Sequence, residues 1–381
     1  MKKLIVPIVV LFFIAGLLAA ILGERDYQWR LAENSPRPTV PADNPMSDVK
    51  VKLGQRLFYD QRLSVNQTTA CATCHLQALA FTDGRPRSVG ATGAIHPRGS
   101  MTLVNTAYAS RLTWANPILD RLEDQALTPM FGDNPIEMGM AGRETELVEL
   151  LRSDEQYLRL LPLAFPDDAD PYSVLNAVRA IASFVRSIVS FDSPYDRYLA
   201  GNDGALSDAQ VRGMDLFFSE RLECFHCHGG FNFTDSTTHA DDRIDRVGFH
   251  NNGLYNTDAN GAYPSDNTGL FDMTGNSRDM GRFKAPTLRN IAVTAPYMHD
   301  GSIATLEDVI AHYERGGRLL EEGDNAGDGR RSPYKSEFVR GFVINDDERA
   351  DLLAFLDALT DAVVLQDPRF SDPFVASESS N

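Results

Sequence analysis

Two copies of C-x-x-C-H constrain this chain more than anything else in it: Cys71-Ala-Thr-Cys74-His75 and Cys224-Phe-His-Cys227-His228. Two thiols and a histidine at this spacing form the attachment signature of c-type haem, the thiols adding to the vinyl groups and the histidine ligating the iron. The chain has four cysteines and the two motifs use all of them, which leaves no disulfide framework and no Cys₄ zinc site. A redox dithiol followed by a chance histidine would have to arise twice. The motifs imply two covalently bound haem c groups, held by Cys71, Cys74, Cys224 and Cys227, with His75 and His228 as the proximal iron ligands.

The residues ahead of each motif repeat. Leu53-Gly54-Gln55-Arg56-Leu57-Phe58-Tyr59-Asp60-Gln61-Arg62-Leu63 precedes the first motif, and Arg212-Gly213-Met214-Asp215-Leu216-Phe217-Phe218-Ser219-Glu220-Arg221-Leu222 the second, with Gly, Leu, Phe, Arg and Leu in register. Each segment reads as a short amphipathic helix packing its Leu-Phe pair on a haem, the glycine admitting a close helix crossing. Helical spacing of apolar residues predicts core helices over Glu144–Leu161 and Tyr172–Phe191, and Ser207 with Gln210 predicts a capped helix start. Leu306–Tyr313 and Asp346–Leu359 read as helices, Gly229–Arg282 as a long loop wrapped over the second haem, and the tail after Pro368 as loose. The expected fold class is mainly α, with two cytochrome c-type haem domains related by duplication.

The expected organisation is a signal peptide or membrane anchor over 1–23 and a linker over 24–45. An N-terminal cytochrome c-type domain over 46–200 carries the first haem and a C-terminal one over 205–335 the second. A C-terminal helix and tail over 336–381 packs back on the first domain. The first segment rests on Met1-Lys2-Lys3 and the apolar run Leu4–Leu22, a pattern of export signals that is also long enough to span a membrane. An exported body implies a periplasmic location, soluble or N-terminally anchored. The net charge of −17 disfavours nucleic acid and anionic membrane surfaces and admits steering toward a basic protein.

The stretch from Lys284 to Gly301, Lys-Ala-Pro-Thr-Leu-Arg-Asn-Ile-Ala-Val-Thr-Ala-Pro-Tyr-Met-His-Asp-Gly, follows the two motifs. With them it resembles the bacterial dihaem cytochrome c peroxidase superfamily from about Val49 to Leu359. Where the peroxidases of that superfamily ligate the second haem with a methionine, fourteen residues after the histidine matching His299, this chain has Tyr313. Tyrosine there resembles MauG-like enzymes, the MbnH type above all, and makes Tyr313 a ligand of the second haem iron. A phenolate is a hard anionic donor that stabilises high oxidation states, whereas a thioether raises the potential. Met298 and His312 are rival ligands, and a core aromatic on a helix is the alternative role for Tyr313.

The resemblance also makes Trp114 a hole relay between the haems and places Gln125, Pro129 and Glu137 around the peroxide pocket of the first. Glu137 above an open iron can move a proton between the peroxide oxygens. Short insertions separate these residues, and Leu222 stands where MauG has a surface tryptophan. His96 lies near the place of a distal ligand, but its spacing does not match and Pro97 favours a turn. His250 and His299 are read as partners of haem propionates or backbone, and Arg282, Lys284 and Arg289 as propionate partners. The superfamily's calcium ion maps to the carbonyls of Thr294 and Pro296, with Asn105 as a side-chain ligand.

These readings combine into a hydrogen-peroxide-dependent dihaem oxidoreductase. It stores two oxidising equivalents across both haems and oxidises an aromatic residue, a tryptophan, of a partner protein. One rival is a dihaem cytochrome c peroxidase that reduces hydrogen peroxide with electrons from a small cytochrome or cupredoxin; Tyr313 argues against it. The other is a non-enzymatic electron carrier, which needs a second ligand on the first iron that the sequence does not supply.

Overall fold

The computed structural model describes residues 27–33 and 35–375, so the expected signal or anchor over 1–23 lies outside the described residues. The helices are α1 (Asp48–Tyr59), α2 (Cys71–Cys74), α3 (Leu122–Phe131), α4 (Glu144–Ser153), α5 (Glu155–Ala164) and α6 (Val174–Ser187). They continue with α7 (Pro194–Leu199), α8 (Asp208–Phe217), α9 (Phe225–His228), α10 (Phe271–Thr274), α11 (Leu306–Glu314) and α12 (Asp346–Asp357). Among the described residues the one strand pairing is antiparallel, Leu319–Leu320 with Gly327–Asp328. The molecule is mainly helical.

Two helix crossings at glycine organise it. In α1, Gly54 lies so close to α6 that an added Cβ would sit 1.9 Å from the Ala180 carbonyl oxygen; in α8, Gly213 meets the Asp351 carbonyl of α12 at the same 1.9 Å. Four residues after each glycine a phenylalanine packs on a phenylalanine of the crossing helix. Phe58 lies 5.1 Å from Phe184, and Phe217 lies 5.4 Å from Phe355. The glycine-phenylalanine spacing noted in the sequence therefore has the same mechanical use twice. Any side chain at the glycine would hold the helices apart and lift the rings out of contact.

The caps explain where these helices start. Ser47 accepts from the Lys50 N–H ahead of α1, and Ser207 with Gln210 forms the expected capping box ahead of α8. The periodic stretch Glu144–Leu161 is not one helix. Asp154 accepts from the Gln156 and Tyr157 N–H groups and caps α5, so the chain turns there although the apolar spacing continues. Tyr172–Phe191 narrows to α6, opened by Ser173.

The described part of the tail, to residue 375, is not loose. Phe370 is 2% exposed and packs beside Phe81 and Phe184 in the first core. Tyr59 O–H donates to the Phe370 carbonyl at 2.6 Å, and Gln77 Nε2 donates to the carbonyls of Val364 and Asp367. Low sequence periodicity hid a segment held by one buried ring and by side-chain donors from α1 and from Gln77, two residues past the first motif.

Candidate active site

Each C-x-x-C-H motif lines a cavity. The first is lined by Cys71, Cys74 and His75, by Gln125, Pro129 and Glu137, and by the apolar Phe58, Ile181 and Val185. His75 Nδ1 donates to the Phe81 carbonyl at 2.7 Å, which fixes the ring and leaves Nε2 to face a ligand. A backbone carbonyl on the other ring nitrogen is the usual support of a metal-bound histidine. In the second, larger cavity, His228 Nδ1 lies 3.2 Å from the carbonyls of both Phe233 and Pro286. Burial lowers the pKa of both histidines, so they are neutral, as iron ligation requires. Paired thiols, a carbonyl-anchored histidine and an apolar slot together fit haem c at both places.

Glu137 is positioned from α3. Pro129 has no N–H, but its carbonyl accepts from Met138 N at 2.9 Å, and Met130 O accepts from Met140 N at 2.9 Å. These ties lay residues 137–140 against the end of the helix. From above, Ala91 N donates to Glu137 O at 2.6 Å. Burial alone, with no charged partner, pushes the Glu137 carboxyl up to about 7. Gln125 Oε1 is buried without a hydrogen-bond partner. A proton-exchanging carboxyl and an idle amide oxygen thus line the cavity that His75 also lines.

In the second cavity Tyr313 and Met298 are both lining residues, while His312 is not. His312 Nε2 donates to the Asn252 carbonyl at 3.0 Å and its Nδ1 is buried without a partner, so what sets it aside as a rival ligand is that it does not line the cavity. Met298 Sδ accepts from Asn252 Nδ2 at 3.2 Å. Burial pushes the Tyr313 phenol up to about 12, so it keeps its proton unless a cation takes the proton's place. Lys284 is buried, lines the cavity, and is drawn down to about 8 by burial against the weaker pull of Asp235. An unpaired buried ammonium suits an anionic haem propionate. Trp114 lines the same cavity as residues 82–85 and 99–102 of the first half. Its indole N–H donates to Gly99 O at 2.8 Å and its carbonyl accepts from Lys284 N at 2.8 Å.

Several expectations are corrected by the contacts. Asn105 is not free to bind calcium: its Oδ1 accepts from Ser190 N at 2.8 Å and its Nδ2 donates to Ser190 O and Asn232 Oδ1. Thr294 and Pro296 do line the larger cavity. Arg289 pairs with Asp196 in a buried bidentate bridge, 2.9 and 3.0 Å, and donates to Phe231 O, so it is spent before any propionate arrives. Arg282 pairs with Asp279. His250 donates to Asp235 at 2.6 Å, and His299 stacks on Phe283 with its Nε2 buried and unpartnered. His96, read as a turn residue, lines the first cavity, with Nδ1 accepting from Arg98 N at 3.1 Å. No local pattern marked Asp235, Asn252 or Asp196; each acts on a residue at least 15 positions away.

The chain matches a family model described as di-haem cytochrome c peroxidase over residues 48–204. It is 35% identical over 353 residues to a cytochrome-c peroxidase of Denitromonas iodatirespirans, covering 88% of each chain. It is 33% identical over 321 residues to the methylamine utilization protein MauG of Methylophilus methylotrophus, covering 84% of each. Among solved structures, a MauG-like protein associated with microbial copper homeostasis superposes with a TM-score of 0.89 at 51% identity, over 91% of this chain and 99% of that one.

Proposed function

Because this chain belongs to the di-haem cytochrome c peroxidase family and is a MauG-like member of it, we propose that it uses hydrogen peroxide to oxidise a partner protein at a distance. It is a dihaem oxidoreductase of the peroxidase type whose cofactors are two haem c groups. In this reading it stores two oxidising equivalents and delivers them to an aromatic side chain, a tryptophan, of a partner that works in copper handling. The partner's chemistry follows the described role of the solved relative. The observation that carries the reading is Tyr313, rather than His312, lining the second cavity.

Haem iron, when bound, supplies cleavage of the peroxide O–O bond and one-electron exchange. Glu137 takes the proton from the near peroxide oxygen and returns it to the far one, a task its pKa near 7 suits at neutral pH. Gln125 orients the incoming peroxide or water through its idle oxygen, and Pro129 holds Glu137 in register. Trp114, pinned at both its indole and its carbonyl, carries electrons between the sites. Tyr313 and His228 hold the second iron, and Lys284 balances propionate charge. The matched glycine crossings support two haem units related by duplication, divided near residues 200–205. The carbonyls of Thr294 and Pro296 remain the proposed calcium contacts, and the N-terminal export pattern supports a periplasmic site of action.

A second reading, peroxide reduction with electrons from a small cytochrome or cupredoxin, draws on Met298, which lines the same cavity. Stopped-flow absorbance after one equivalent of hydrogen peroxide, with no reductant, separates the two. Wild type is expected to hold its oxidised state, and Tyr313→Met to lose it faster while its second-haem potential rises. Equal lifetimes and potentials would overturn the storage reading.

A further inference from the structure

The aromatic side chains behind the larger cavity lead outward from it. Phe283 and His299, both lining residues, stack with ring centroids 3.7 Å apart and planes 11° from parallel. Tyr263 lies 6.3 Å from Phe283 and 6.4 Å from His299, and Tyr255 lies 5.5 Å from Tyr263, edge-on. Trp114 packs in the same apolar cluster as Tyr255, Tyr263 and Phe283.

What separates the two tyrosines is where their protons can go. Tyr263 donates to the neutral amide oxygen of Asn251 at 3.0 Å, which cannot keep a proton. Tyr255 donates to an Asp300 carboxylate oxygen at 2.6 Å, and the other oxygen of Asp300 accepts from Ser302 N at 3.0 Å. The Arg318 guanidinium lies 4.5 Å above the Tyr255 ring, tethered to Leu254 O and Ser302 Oγ. A fixed cation there repels any positive charge on the ring. Tyr255 can therefore lose an electron readily only as its proton leaves with it. Tyr255 is 7% exposed, and its neighbours Asp300 and Arg318 both bond the exposed Ser302.

We propose that Tyr255 is the relay through which the oxidised enzyme passes its oxidising equivalents toward the surface, one at a time, with Asp300 holding the phenolic proton. The relay rests on the peroxide-driven reading above. In each transfer one electron leaves Tyr255 for the sites that hydrogen peroxide has oxidised. The phenolic O–H bond breaks and an O–H bond forms on Asp300, leaving a neutral tyrosyl radical beside a carboxylic acid. An electron from the partner's aromatic side chain, or from a donor protein, then refills Tyr255 as the proton returns. The tyrosine and the carboxylate end each transfer unchanged.

The test uses the holoenzyme without a partner, mixed with one equivalent of hydrogen peroxide and freeze-quenched for EPR, with haem absorbance followed in parallel. Ring-deuterated tyrosine identifies a tyrosyl signal by its narrowing. Wild type is expected to show that signal. Tyr255→Phe is expected to lose it while the haem absorbance still responds, and Asp300→Asn to delay it. An undiminished tyrosyl signal in Tyr255→Phe, or none in a wild type whose haems respond, overturns the relay and leaves the peroxide reading standing. A haem response lost in Tyr255→Phe at normal haem content makes the residue structural and overturns the relay as well. Wild-type haems that do not respond to peroxide overturn both.

Discussion

At Glu137 the useful property is isolation: burial raises its pKa to about 7 with no cation nearby to pull it back. To accept the first proton it must be ionised, so the rate of reaction with peroxide is expected to rise as pH increases through about 7. Glu137→Gln keeps the shape but cannot exchange a proton. It should slow the reaction by about 10²–10⁴ and flatten this pH dependence in stopped-flow mixing. A rate within a few-fold of wild type would place the proton carrier elsewhere. Asn105 makes the opposite point. Its amide bridges Ser190 and Asn232, so Asn105→Ala is expected to cost about 1–3 kcal/mol for the groups left unpaired. Thermal melts should show a loss that added calcium does not restore. The haem-attaching residues were legible because covalent attachment demands a fixed local spacing. Asn105, Arg289 and His250 were misread because their partners, Ser190, Asp196 and Asp235, come from distant segments and leave no periodic trace.

Among the elements, the two glycine crossings are the most sensitive. A methyl group at Gly54 would meet the Ala180 carbonyl and one at Gly213 the Asp351 carbonyl, and backbone cannot swing aside as a side chain can. Gly54→Ala and Gly213→Ala are each expected to destabilise by at least the about 1–3 kcal/mol typical of overpacked cores. Because Phe58 lines the first cavity and Phe217 the second, each variant should impair haem retention chiefly at its own site. Melting curves with site-resolved haem spectra would check this, and equal loss at both sites would contradict it. These helices were readable from capping residues and glycine-phenylalanine spacing, which act within one or two turns. The break at Asp154 was not, since apolar residues keep helical spacing on both sides of it and only the cap decides.

Over the whole molecule, the segment after α12 returns to α1 and to the residues just past the first motif. Phe370 fills the first core beside Phe81 and Phe184, so Phe370→Ala is expected to cost about 3–5 kcal/mol, the range for a buried phenylalanine. Denaturant melts would measure it, and a cost below 1 kcal/mol would show that the ring is replaceable. The mainly helical class was legible from periodicity. This return was not, because one ring and a few carbonyls make no pattern. It also sets a calendar. A ribosome makes Tyr59 first and Phe370 311 positions later, yet the two are hydrogen-bonded neighbours. Until residue 370 exists, the core around Phe81 and Phe184 stands open on the side that Phe370 will close. That core is thus completed late, by a ring from a segment far downstream of the helices it packs on.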